Sequence, residues 1–181
     1  MKKFIHFLLL FSIFLVCGCD KMDNTPTKRV ETMLSKYQTT DKDVVDDINK
    51  TVDTEPNLTN EQKEKYKNIL KKQFSSLTYN VKNEKIDGDN AYVEVEIEVK
   101  DLTKAIKDSE TKLLDNPESF QNDKGNFDQS KYTDYKLDQM ENTLIKVKYT
   151  LELTLTKIDG EWTVDNLTET ERQKIHGIYN Y

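Results

Sequence analysis

Between Ile145 and Thr156 every second residue is apolar: Ile145, Val147, Tyr149, Leu151, Leu153 and Leu155 alternate without a break with Lys146, Lys148, Thr150, Glu152, Thr154 and Thr156. Side chains of an extended strand point by turns to the two faces of a sheet, so a strict period of two makes one face dry and the other wet. A helix turns by about 100° per residue and would scatter these apolar groups around its whole circumference. A second run obeys the same rule, with Ala91, Val93, Val95, Ile97 and Val99 against Tyr92, Glu94, Glu96, Glu98 and Lys100. Two long strands of this kind require an antiparallel sheet with one solvated face and an apolar face that something else must cover.

The cover is written upstream in a period near 3.6. Thr25-Pro26 reads as an N-cap followed by proline at the first helical position, where its missing N–H costs nothing, and Val30, Met33, Leu34 and Tyr37 follow at helical spacing. A second helix begins near Asp41, with Val44, Val45, Ile48 and Val52 as its apolar side, and Thr54-Glu55-Pro56-Asn57 ends it. Thr59 with Gln62 makes a capping box for a third helix, whose stripe is Tyr66, Ile69, Leu70 and Phe74. Leu77, Tyr79 and Val81 then alternate with polar residues, and Asp87-Gly88-Asp89-Asn90 supplies a tight turn into the strand at 91–100. Leu102, Ala105, Ile106 and Leu113 suggest a helix that stops before Asn116-Pro117; the polar stretch 117–130 reads as a surface excursion. Tyr132 to Thr143 reads as helix, with Tyr132, Lys136, Met140 and Leu144 in register. Asp159-Gly160 turns the long strand into Trp162-Thr163-Val164, and Thr168 with Glu171 opens a last helix through Ile175 and Ile178. The expected class is α+β: N-terminal helices packed on a curved, cone-like antiparallel sheet of about four strands, with an N-terminal signal helix in addition.

That signal is the clearest statement about location. Met1-Lys2-Lys3 is followed by a nearly continuous apolar run from Phe4 to Val16, the n-region and h-region of an export leader. As a helix the run would cover roughly 20 Å, short of the ~30 Å that a permanent span must cross. It ends Val16-Cys17-Gly18-Cys19, which resembles the lipobox of bacterial lipoproteins, with Val16 and Cys17 in place of the commoner Leu and Ala or Ser. The resemblance implies a diacylglyceryl group on Cys19, cleavage before it, and attachment to the outer face of the plasma membrane; two acyl chains suffice for stable anchoring. The implied layout is a leader at 1–18, a lipidated tether at 19–27 and one α+β domain at 28–181. With Cys17 removed and Cys19 capped, no disulfide, Cys-ligated metal or cysteine nucleophile is available to the body. Asp20, after the lipidated position, would favour plasma-membrane retention in a host with an outer membrane. The Lys-, Asn-, Asp- and Ile-rich style suggests a low-GC Gram-positive host instead.

Charge narrows the partners. The chain carries 27 Lys and Arg against 33 Asp and Glu, a net charge of −6, and without Lys2 and Lys3 the balance is 25 against 33, or −8. An acidic body is a poor ligand for nucleic acid or for an anionic membrane surface, and neither is expected as a partner.

The element order, with Lys-Ile-Asp-Gly-Glu-Trp-Thr-Val at 157–164, resembles small Gram-positive lipoproteins whose body is similar to the nuclear-transport-factor-two-like or cystatin-like fold. In such domains the Trp of a Gly-x-Trp-x-Val ending packs into the cone between sheet and helix. Tyr79, Tyr149 and Trp162 are the aromatics expected to face the concave side, lining a small apolar pocket if the cone is open and serving as core if it is filled; the thin hydrophobic supply favours the filled core. The fold hosts isomerases, dehydratases and many non-catalytic modules, so it does not select an activity.

Four groups of residues invite chemistry, and each has a plainer reading. Ser109-Glu110-Thr111-Lys112 has the Ser-x-x-Lys spacing of penicillin-recognising enzymes, which puts base and nucleophile on one helical face, but Lys-Thr-Gly and Ser-x-Asn companions are missing. His176, the histidine left after cleavage, reads as a solvent-facing residue at a helix end rather than a general base. Asp123, Asn126 and Asp128 offer oxygens for calcium without the EF-hand order of ligands, and read as a solvated acidic loop. Glu94, Glu96 and Glu98 read as a soluble strand face. No cofactor or metal is expected. The expected function is a non-catalytic binding or interaction module of the cell envelope, taking a protein or peptide. The alternatives are an isomerase- or hydratase-like enzyme, which would need an acid pointing into the cone where the strands offer none, and a small-ligand binding protein. A transporter's solute receptor wants a larger, two-lobed body.

Overall fold

The computed structural model describes residues 24–180, so the leader and Cys19 lie outside the described residues. Three helices lead: α1 (Pro26–Thr39), α2 (Lys42–Asp53) and α3 (Asn60–Ser75). The hairpin β1 (Thr78–Asp87) and β2 (Asn90–Lys100) follows, then α4 (Leu102–Asp115), α5 (Gln129–Asn142), the hairpin β3 (Lys146–Ile158) and β4 (Glu161–Val164), and α6 (Glu169–His176). The strands form one antiparallel sheet in the order β1-β2-β3-β4, open at both edges rather than closed into a barrel. This is the α+β architecture that the two alternating runs demand.

Helix boundaries fall where side chains satisfy the first free N–H groups. Thr25 accepts from Lys28 N and caps α1; Thr59 with Gln62 and Thr168 with Glu171 both close reciprocal capping boxes, on α3 and α6. Gln62 does more than cap. Its amide nitrogen reaches Ser130 and Asp134 and fastens the start of α3 to α5.

The register carries the alternation across the sheet. Val81, Val95 and Leu151 form one cross-strand row, Tyr79, Ile97 and Tyr149 another, and Val93 pairs with Leu153. These β2 and β3 residues are almost wholly buried, in one cluster with Val30, Leu34, Leu70 and Phe74 from the helices. Each fully buried Leu, Ile or Val is worth roughly 1.5–3 kcal/mol relative to exposure, so these rows fix which face the helices cover. The opposite face is solvated. α1 lies along the sheet: Asn24 and Thr27 at its start bond to Gly160, Trp162 and Glu84, and Gln38 near its end donates to Leu77 O.

Three details differ from the sequence expectations. The fold takes hold at Asn24 and Pro26, ahead of the boundary at Lys28, because Asn24 bonds both sides of the β3–β4 turn. The stretch 117–130 is not simply a polar excursion. Phe120, in a one-turn 3-10 helix (Pro117–Phe120), is buried with its ring 5.3 Å from those of both Tyr132 and Tyr135, and a bridge between Gln121 and Phe127 closes the loop. Leu144 lies beyond the end of α5 and is 87% exposed, while Leu137 takes the inward place beside Met140.

Candidate functional site

Ser109 is buried and its Oγ donates to Ala105 O at 2.7 Å, within its own helix. Lys112 Nζ donates to Asn116 Oδ1 at 2.8 Å. The two side chains therefore serve separate local partners and form no nucleophile–base pair. Asp128 caps α5 by accepting from Lys131 N, and Asn122, not Asp123 or Asn126, supplies the side-chain oxygen that organises the turn before it. Among the described residues no group of three His, Cys, Asp or Glu is placed to hold a metal ion.

The acidic strand face carries ion pairs at Glu96 and Glu98, while Glu94 stands opposite Glu152. Lys148 Nζ donates to Glu96 at 3.1 Å with Lys82 also in range, and Lys146 Nζ donates to Glu98 at 2.9 Å. The hydrogen bond from Lys148 holds the Glu96 carboxyl below its ordinary range, and that from Lys146 does the same to Glu98. Cross-strand pairs of this kind keep the exposed sheet soluble and contribute little to stability.

His176 departs from its expected place: it is 5% exposed, not solvent-facing. Its ring centroid lies 5.1 Å from that of Phe74, and Nε2 is 3.9 Å from the Asp47 carboxylate. Burial pushes the imidazole below its ordinary range; Asp47 and Glu169 pull it back up and Arg172 pushes it down again. The physical reason is the chain reversal at Gly177, where φ of +72° ends α6 and sends Ile178 and Tyr179 back over the core. Gln73 clasps this reversal. Its Nε2 donates to Lys100 O and His176 O, its Oε1 accepts from Lys100 N, and Thr103 N donates to Gly177 O. A histidine sealed in this way has no access to a substrate and works as core.

Tyr149 and Trp162 are buried on the covered face and Tyr79 is half-buried against the same cluster. Tyr79 and Tyr149 flank Ile97 in one row, and the Tyr149 ring meets Tyr179 edge-on at 5.8 Å. Trp162 pairs with Lys157, eight residues along β3 from Tyr149 and thus roughly 26 Å away. The three aromatics are parts of an extended core and do not converge on one pocket.

A cavity does occur, elsewhere. About 180 Å³ of space opens between the α2–α3 loop, α3, α4, α5 and the C-terminal tail. Leu58, Tyr66, Ile106, Leu137, Met140 and Ile178 give it apolar walls, and Glu55, Thr133 and Lys136 add polar groups. Burial, reinforced by the nearby Glu55 carboxylate, pushes the Tyr66 phenol up to about 12, so it stays a neutral hydroxyl in ordinary conditions. An apolar cavity of about 150 Å³ accepts a benzene-sized molecule, so this one fits a ring or a branched chain of similar size. No known family, curated protein or solved structure matches this chain. Sequence periodicity marked Tyr66, Ile106 and Met140 as inward-facing; that five segments meet without filling the space between them has no local signature.

Proposed function

We propose that this chain is an exported lipoprotein, held at the outer face of the plasma membrane by a diacylglyceryl group on Cys19, and that its body is a non-catalytic binding module. The leader and the Val16-Cys17-Gly18-Cys19 motif support the anchoring. The absence of catalytic machinery is supported by the covered sheet face, where Val93, Val95, Ile97, Leu151, Leu153 and Leu155 present no acid, and by the sealed His176.

The cavity favours a small ligand over a protein partner, and it is the observation that carries this reading. Its walls call for an apolar group. Glu55 and Lys136 contribute one charge of each sign, and neither has an ion pair among the described residues. The ligand class that fits is a small apolar body with a zwitterionic or neutral polar end, of which hydrophobic amino acids are the simplest members. Thermal unfolding of the full chain with leucine, phenylalanine, aspartate or hexane-1,6-diol tests this. The apolar zwitterions should raise Tm, since a ligand at 100 times its Kd adds about 2.7 kcal/mol. Met140→Trp, which fills the cavity, should abolish the effect. Equal responses to leucine and aspartate, or a response that survives Met140→Trp, would contradict the assignment.

A further inference from the structure

We infer that the folded body stands on the bilayer on its two hairpin tips, the β1–β2 turn at 87–90 and the β3–β4 turn at 159–160, with the cavity at the opposite end. The inference rests on the anchoring through Cys19 proposed above and adds to it a contact surface and an orientation.

Chain length limits how far the anchor can lie from the fold. Four residues, Asp20 to Asp23, lie between Cys19 and Asn24, and a fully extended chain spans at most about 3.5 Å per residue, so over these five steps Asn24 stays within roughly 17 Å of Cys19. Asn24 is itself pinned. Its Nδ2 donates to Gly160 O at 2.9 Å and its Oδ1 accepts from Trp162 N at 3.0 Å, which fixes it to the β3–β4 turn. Thr27 donates to Glu84 from both its backbone nitrogen and its hydroxyl, Arg29 pairs with Glu161, and Lys157 N donates to Asp89 O at 2.8 Å. The exit of the tether and both turns therefore form one end of the molecule.

The other end is out of reach. β3 runs 13 residues from Lys146 to Ile158, roughly 40 Å at about 3.3 Å per residue, more than twice the tether's limit. At that distant end Asp101 N bonds Ile145 O, α4 begins, and the tail carrying Ile178 is clasped by Gln73 and Thr103. The cavity, built on Ile106, Met140 and Ile178, belongs there.

The tips have chemistry suited to the lipid headgroup region. Ile86 and Ile158 flank the two turns at 52% and 55% exposure, and Tyr92 is 52% exposed two residues into β2. Tyrosine and isolated aliphatic groups settle at the interface without a charge requirement. Asp87, Asp89 and Asp159 outnumber Lys85 and Lys157 at these turns, so attraction to anionic lipid does not drive the contact. The tether keeps the tips within its own short reach of the bilayer, where these side chains can settle, and the cavity opens toward ligands arriving from outside the cell rather than from the bilayer.

Depth-dependent fluorescence quenching on the processed, full-length protein in phosphatidylcholine vesicles tests this. In the mature chain an introduced cysteine is the sole free thiol, so Ile86→Cys, Ile158→Cys and, at the far end, Leu144→Cys can each be labelled specifically. Quenchers carried on lipid headgroups should suppress the Ile86 and Ile158 labels at least threefold more than the Leu144 label, and adding phosphatidylglycerol should leave the ratio unchanged. A Leu144 label quenched as strongly as the tips, or tips left unquenched on protein that floats with vesicles, overturns the orientation while leaving the anchor intact. Protein that fails to float at all, and behaves as Cys19→Ser does, overturns the anchor and the orientation together.

Discussion

Replacing Gly177 by alanine should be among the most damaging single-methyl additions in this fold, and Gly88→Ala supplies its control. Both glycines have positive φ, +72° and +60°, and both substitutions force an L side chain into the left-handed region. That strain costs roughly 1–2 kcal/mol, partly offset by roughly 0.4–1 kcal/mol from the stiffer unfolded chain. At Gly88 the added Cβ meets nothing within 4 Å, so the net loss should be about 1 kcal/mol. At Gly177 the Cβ would overlap Gln73 Nε2 and the backbone oxygen of Lys100. The Gln73 amide must move, breaking its bonds to Lys100 O, His176 O and Lys100 N in a fully buried place, at about 1 kcal/mol each. The total is about 4 kcal/mol, or roughly 10 °C in Tm for a body of this size. Thermal and urea unfolding of the two variants side by side measures the difference directly. If Gly177→Ala costs no more than Gly88→Ala, the clasp between α3, β2 and the tail does not carry the stability assigned to it.

Two more outcomes follow from the same contacts. His176 is held below its ordinary pKa, so the folded state binds fewer protons than the unfolded chain. Its contribution is whole above about pH 6.5 and is lost as pH falls below that value, at no more than about 1.4 kcal/mol per pH unit. Urea midpoints measured from pH 7 to pH 5 should fall for the native sequence and stay nearly flat for His176→Phe, whereas loss through Glu96 and Glu98 belongs below pH 4.5. Ser109→Ala should shift stability by less than about 0.5 kcal/mol, because the hydroxyl's bond is to a helical carbonyl that Ser109 N already occupies in the α4 ladder; a larger loss in chemical denaturation would show an unrecognised partner.

How much was legible follows from the range over which each signal acts. The strands were read almost residue by residue because alternation is local and any slip would turn the whole apolar row into water. Thr59 with Gln62 and Thr168 with Glu171 marked helix starts because a capping box is complete within four residues. Gln73 was invisible for the opposite reason: it follows Lys71-Lys72 and looks like a polar face, yet its partners lie 27 and 103 residues away. His176 misled in the same way, since Gln173, Lys174 and Gly177 look solvated until the tail turns back over Phe74. Phe120 sat within a polar run whose composition hid its anchoring role against Tyr132 and Tyr135. The cavity depends on how five separate segments meet without filling the space between them, which no single segment records.

Location and orientation both return to Cys19, and intact-mass and tryptic-peptide mass spectrometry of the protein recovered from its host examines that residue itself. The mature chain should start at Cys19, with a peptide from Cys19 to Lys21 carrying a diacylglyceryl thioether. A chain that retains residues 1–18, or one cut elsewhere with the sulfur of Cys19 unmodified, would contradict the proposed anchoring.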